Sequence, residues 1–263
     1  MKLLPSTERR RIQNAIWRWL VPKTPLVKGT VLGHKMIIPN TGRYTPGNIM
    51  NTLRGNLHEP ETTRFIENSV ESGQTAIDIG ANVGYFTLLF AKAVGPKGTV
   101  HAFEPNPTLA KILRYNVRLN NYRNVIVNEK AVSDKSGIAR FYVDQQIHER
   151  SSLNPRRGSR IIDVDVIKLD DYFEKSESTI DWIKLDVEGH ESKALAGMKQ
   201  IFNENKNIRL IVEFIPNNPG FDEENFFLQL EGFAFRSMDH NLLCWKEETA
   251  SENNSSHIES RQT

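Results

Sequence analysis

The chain has 263 residues, enough to bury one sizeable core with room for a small accessory lobe. With 38% hydrophobic residues, 25% charged residues and a net charge of +2, it has an ordinary globular composition and no global pull towards nucleic acid or a strongly acidic partner. Its single cysteine, Cys244, excludes an internal disulfide and any multi-thiolate zinc site, and suits a reducing compartment.

No stretch reaches the roughly 18 apolar residues that a membrane-spanning helix needs. The apolar run Ile12 to Val21 is broken by Gln13, Asn14 and Arg18, which makes a poor secretory segment. The expected location is therefore cytoplasmic. Residues 6–21 read as a short amphipathic helix, with Ile12, Ala15, Ile16, Trp19 and Leu20 on one stripe and Arg9, Arg10, Arg11 and Arg18 supplying charge. Such a helix either docks on its own domain or lies on an anionic membrane surface. Residues 22–58 are rich in Gly, Pro, Thr and Asn, and runs such as Met36-Ile37-Ile38 suggest strands of a lid or hairpin.

A helix is expected over Glu61 to Val70, and from residue 75 strands and helices alternate. Thr75 to Ile79 is a short apolar strand, Tyr85 to Val94 a helix, and Thr99 to Glu104 a second strand. Asn106-Pro107 supplies a capping residue and a first-turn proline for the next helix. Val125 to Val132 reads as a third strand, and Ile138–Val143 with Ile161–Leu169 as an added strand pair. Ile180 to Val187 is a buried strand. Ala194, Leu195, Met198, Ile201 and Phe202 share one face of the helix after it. Ile208 to Ile215, a helix from Glu223 to Leu230, and a hairpin from Phe233 to Trp245 complete the pattern, leaving a polar tail from 249. Alternating units predict an α/β fold with a mostly parallel sheet, helices on both faces, and a terminal antiparallel hairpin.

In such sheets ligands sit beyond the carboxyl ends of the strands. The loop Asp78-Ile79-Gly80-Ala81-Asn82-Val83-Gly84 lies there: Gly80 allows a tight turn, and Gly84 lets the helix begin close to strand and ligand. Ala81 and Asn82 complete the loop and are candidate cofactor contacts with these glycines. The charge of Asp78 disfavours a pyrophosphate, whereas the ammonium and sulfonium of S-adenosyl-L-methionine suit an acidic loop. The alternative role for Asp78 is capping the helix. Glu104, 20 residues after Gly84, is placed to accept ribose hydroxyls. Ala131 and Val132, at the end of the third strand, either wall an adenine or pack the core.

A second cluster, Ile183-Lys184-Leu185-Asp186-Val187-Glu188-Gly189-His190-Glu191, ends another strand at the same edge. His190 is a candidate general base. Asp186 is a candidate to take a hydroxyl proton, orient His190 or ligate a divalent cation. Glu188 and Glu191 also read as first-turn residues that complement a helix dipole. Glu213 ends the following strand and is placed to join Asp186 in an oxygen-only set that suits magnesium; the sequence does not compel a metal.

Taken together, the motifs resemble the FkbM family of methyltransferases over about Glu61 to Phe214. They are Ala76 to Gly84, Ala102-Phe103-Glu104-Pro105-Asn106-Pro107, Asn128 to Gly137, Ser151-Ser152-Leu153, Leu169-Asp170-Asp171 and Ile183 to Glu191. The resemblance implies a Rossmann-like class I fold with a seven-stranded sheet. It also implies use of S-adenosyl-L-methionine and O-methylation of a hydroxyl on a sugar, glycolipid or natural product. It makes Asp78, Gly80 and Glu104 cofactor contacts and turns Asp186 to His190 towards the acceptor. Residues 59–248 would form the methyltransferase domain, 1–58 an extension and 249–263 a disordered tail, with a small-molecule or glycan acceptor, no nucleic acid, and membrane contact only through residues 6–21. Two other classes stand against it. Against a non-catalytic binding module that merely retained the fold, Asp78, Glu104, Asp186 and His190 are all intact. A nicotinamide-dependent oxidoreductase would carry Gly-x-Gly-x-x-Gly without the leading acid.

Overall fold

A computed structural model of the chain describes residues 26–39, 52–53, 55–144, 151–155, 157–218 and 220–246. The expected basic helix at 6–21 and the polar tail from 249 lie outside the described residues. Among the described residues, no helix is long and apolar enough to cross a membrane.

The first described segment is a hairpin of β1 (Leu26–Val31) and β2 (His34–Pro39). Its turn residues Leu32 and Gly33 both have positive φ, 50° and 82°, the backbone sense that matches strand twist. Next come α1 (Pro60–Ser69), β3 (Thr75–Ile79), α2 (Tyr85–Val94), β4 (Thr99–Phe103), α3 (Pro107–Leu119) and β5 (Val125–Asn128). An accessory unit contains β6 (Ala131–Val132), β7 (Gly137–Val143) and β8 (Arg160–Ile167), followed by α4 (Leu169–Phe173). The chain then returns through β9 (Trp182–Leu185), α5 (Glu191–Ala196), α6 (Lys199–Glu204), β10 (Arg209–Glu213), α7 (Glu223–Gln229), β11 (Phe233–Met238) and β12 (Asn241–Lys246).

Seven strands form the main sheet in the order β11-β12-β10-β9-β3-β4-β5. The strands from β10 to β5 are parallel, and β12 runs antiparallel to both of its neighbours. The expected α/β architecture with a terminal antiparallel hairpin is therefore present. Because side chains alternate across a sheet, the two faces carry separate cores. Ile77, Ile79, Ile183, Leu185, Leu210 and Val212 pack one face, while Ala76, Trp182, Ile211 and Leu243 pack the other. The same parity turns Asp78, Lys184, Asp186, Glu213 and Asn241 to the second face, where α1 and α2 lie.

The third expected strand ends early. Its partner β4 stops at Phe103, which is in register with Asn128, so nothing remains beyond that point for the main sheet to pair. Ala131 and Val132 instead pair with Val166 and Ile167 in a separate three-stranded sheet, ordered β6-β8-β7. The helix expected after Glu191 is also two helices. Asp170 enters at the break: its N–H donates to the Gly197 carbonyl, and its carboxylate accepts from the Ile201 N–H, capping α6 from another element.

The hairpin packs against α3 through two asparagines one turn apart. Asn116 accepts from the Ile37 N–H at 2.7 Å and donates to the Ile37 and Val83 carbonyls at 3.0 and 2.8 Å. Asn120 makes the same pair of bonds to Lys35, both at 2.8 Å. Four helical residues rise about 6 Å and two strand residues about 6.6 Å, so the two amides meet alternate residues of β2.

His34 closes this contact through the Tyr122 hydroxyl, 2.9 Å away. Burial, assisted by Lys92, lowers its pKa from the ordinary 6.5 to about 4. The unfolded chain therefore holds the proton more tightly than the folded one. The stability associated with neutral His34 is complete above about pH 6.5 and falls away as pH drops towards 4. In chemical denaturation at pH 7 and pH 4.5, His34→Gln should show a smaller loss than the parent, by on the order of 1–3 kcal/mol; equal losses would rule this out.

Candidate active site

β3 delivers the first loop. Asp78 is buried and accepts from the side chain of Thr87, in the first turn of α2, so its carboxylate serves that helix end. Burial raises its pKa to about 6, against the opposing effects of Thr87 and Lys184. Gly80 and Ala81 both donate N–H groups to the Phe103 carbonyl, folding the loop across the end of β4. Gly80 has φ 82°, and a Cβ there would lie 1.8 Å from the Asp186 carbonyl oxygen. Gly84 caps α2 with φ 97°.

Glu104 lies beneath this loop. One carboxylate oxygen accepts from the Asn82 N–H at 2.8 Å and the other from the Asn106 N–H at 2.8 Å. Asn82 holds φ 51°, the left-handed conformation that asparagine tolerates. Burial raises the Glu104 pKa to about 7, with the two backbone donors opposing. With one protein donor on each oxygen, the carboxylate retains acceptor capacity for two further hydroxyls.

β9 brings the second cluster to the same edge. Asp186 is tied to the first loop by its N–H on the Ile79 carbonyl at 3.0 Å, and its side chain is 27% exposed. Behind it lies Lys184, 1% exposed, with its ammonium 3.5 Å from Asp186, 3.6 Å from Glu59 and 4.7 Å above the Phe86 ring. Burial opposes the charge of Lys184, but Glu59, Asp186, Glu213 and Asp78 together hold its pKa above the ordinary lysine range. Burial likewise works against ionised Glu59, while Lys184, His58 and Asn241 hold its pKa below the usual value. Asn241 joins the set, donating to Glu59 at 2.8 Å.

Glu59 and Asn241 carry no site signal in the sequence, and Lys184 stands there only as a member of the second cluster. Lys184 carried a usable signal: a lysine inside the buried run Trp182-Ile183-Lys184-Leu185 must find an internal counter-charge.

His190 is brought into a different contact. Its Nε2 lies 2.9 Å from the Ser133 hydroxyl and its Nδ1 3.3 Å from Asn154 Oδ1, so both ring nitrogens have protein partners. Burial, then Lys193, lowers its pKa to about 4, which keeps the ring neutral. The geometry makes His190 a brace between the accessory sheet and the loop after Asp186. Ser152 and Asn154 complete that brace: Ser152 donates to the Val187 and Glu188 carbonyls at 3.2 and 3.0 Å, and Asn154 to the Gly189 carbonyl at 2.7 Å. Ala131 packs with Phe141, Val164 and Val166 in the accessory unit.

The methyltransferase FkbM domain matches residues 78–239, from the acidic loop to the terminal hairpin. The chain belongs to the FkbM methyltransferase family. It is 30% identical over 170 residues to the 31-O-demethyl-FK506 methyltransferase FkbM of Streptomyces tacrolimicus, covering 51% of this chain and 64% of that one. It is 24% identical over 181 residues to Methyltransferase 1 of Beauveria bassiana, covering 60% and 71%. The chain thus spans just under two thirds of the length of the Streptomyces relative. A structure of a SAM-dependent methyltransferase from Aquifex aeolicus overlaps 71% of this chain and 86% of its own, at 16% identity and a TM-score of 0.41.

The cofactor of this domain is S-adenosylmethionine. The residues present fit it: Glu104 retains acceptor capacity for hydroxyls, and the loop from Gly80 to Gly84 crosses the strand ends with a glycine where a side chain would strike backbone. Gly80→Ala should weaken binding of S-adenosylhomocysteine by at least about tenfold, because a methyl group cannot share space with the Asp186 carbonyl. Calorimetric titration giving an unchanged affinity would sink this assignment.

Proposed function

We propose that the protein is an O-methyltransferase that acts on a hydroxyl of a sugar, glycolipid or other natural product. The observation that carries the reading is Asp186: a partly exposed carboxylate at the strand edge, beside the Gly80 loop and backed by the buried Lys184. The name of the Streptomyces tacrolimicus relative, a 31-O-demethyl-FK506 methyltransferase, supports a natural-product hydroxyl.

When bound, S-adenosylmethionine supplies an electrophilic methyl group on a sulfonium. Asp186 would accept a hydrogen bond from the acceptor hydroxyl, orient its oxygen for methylation, and take the hydroxyl proton. The ammonium of Lys184, 3.5 Å from Asp186, holds the carboxylate in place for this task. Asp78 and Glu104 hold the loop that positions the donor, and His190 braces the loop from Val187 to Gly189.

Asp186→Asn keeps the shape and removes the proton acceptor, so methyl transfer should fall by about 10²–10⁴-fold. Affinity for S-adenosylhomocysteine should stay within a few fold. The assay uses a methyl-labelled donor with sugar and macrolide alcohols, and mass spectrometry to identify a methyl ether. Methylation at nitrogen or carbon, or collapse of cofactor affinity in Asp186→Asn, would overturn the assigned role.

A further inference from the structure

On the face of the sheet that carries Lys184, the ends of β9 and β10 bring three carboxylates together. One oxygen from each of Asp186, Glu188 and Glu213 lies within 4.8 Å of the other two. Oxygens on opposite sides of a bound ion at 2.0–2.6 Å are about 4–5 Å apart, so these three span one coordination sphere. The Lys184 ammonium is shared between Asp186 and Glu59. Asn218 contributes a neutral donor to Glu188 at 3.3 Å.

Two buried oxygens here have no donor. Glu213 Oε2 is shielded from solvent with no hydrogen-bond partner, and the same is true of Oε2 of Glu191. Glu191 is 1% exposed and interacts electrostatically with both Asp186 and Glu213. A buried carboxylate oxygen left without a partner is costly, and such groups are rare in folded proteins. A single proton can bridge only one pair of these acids, whereas a cation meets all three at once.

We propose that Asp186, Glu188 and Glu213 bind one hard divalent cation of the magnesium class. The donor set is oxygen only, which favours magnesium or manganese over zinc or copper. The partial exposure of Asp186 leaves coordination positions open on the acceptor side. The purpose of the ion rests on the O-methyltransferase reading: it would hold the acceptor oxygen beside Asp186 and make its proton easier to remove. The binding site itself stands without that reading.

The test is a titration of the full chain with Mn²⁺, followed by electron paramagnetic resonance of the free ion and repeated with Mg²⁺ as competitor. One Mn²⁺ should bind per chain and be displaced by Mg²⁺. Glu213→Gln and Glu188→Gln should each weaken binding at least about tenfold, while Glu177→Gln, an exposed control, should leave it unchanged. Circular dichroism checks folding; if Glu213→Gln does not fold, the Glu188→Gln comparison decides. No binding at ~1 mM Mn²⁺, an unchanged affinity in the folded variants, or an equal loss in Glu177→Gln would overturn the site. Since the readout needs no methyl transfer, failure of the ion site and failure of the O-methyltransferase reading are separate results.

Discussion

The ammonium of Lys184 lies in the middle of the main sheet, on a strand whose other side chains are buried, so its charge must be balanced inside the protein. Three separate parts of the chain answer it. Glu59 comes from the turn before α1, Asp186 from the end of its own strand, and Asn241 from the first residue of β12. Removing one partner of such a set leaves a buried charge uncompensated, an effect on the order of 3–5 kcal/mol. The ion network thus couples the approach to α1, the central strand and the terminal hairpin into one arrangement, and the ligand edge is built around it.

The first loop depends on that arrangement through Asp186. Its backbone bonds to Ile79 and its carbonyl lies where a Gly80 side chain would be, so the glycine loop and the loop after Asp186 are set against each other by direct contact. The accessory sheet adds a third constraint. Ser152, Asn154 and Ser133 reach the segment after Asp186 through hydrogen bonds to three successive carbonyls and to His190. A segment with Glu188 and Gly189 both at positive φ has few internal bonds of its own, and this external bracing gives it one conformation.

Much of the site was legible in the chain because the relevant signals are local. Gly80 and Gly84 announce a turn that other residues cannot make, and carboxylates at 78, 104, 186 and 213 end strands whose apolar runs are short and well bounded. Two expectations changed on folding. Val125 to Val132 looks continuous, but pairing ends with β4 at Phe103, which sends Ala131 into another sheet. The apolar stripe from Ala194 to Phe202 looks like one helix, but Asp170, from α4, binds both sides of a break at Gly197. Both outcomes depend on where a distant partner stops or arrives.

The sequence by itself determined the order of most strands and helices, the parallel sheet with its antiparallel closing hairpin, and the sheet edge that gathers the candidate site. These follow from periodicity, turn chemistry and strand parity, which act over a few residues. Tertiary structure alone decided the partnerships of Lys184 with Glu59 and Asn241, and of His190 with Ser133 and Asn154. The physical reason is that a buried charge or ring nitrogen takes whatever group the register of remote segments brings within about 3–4 Å.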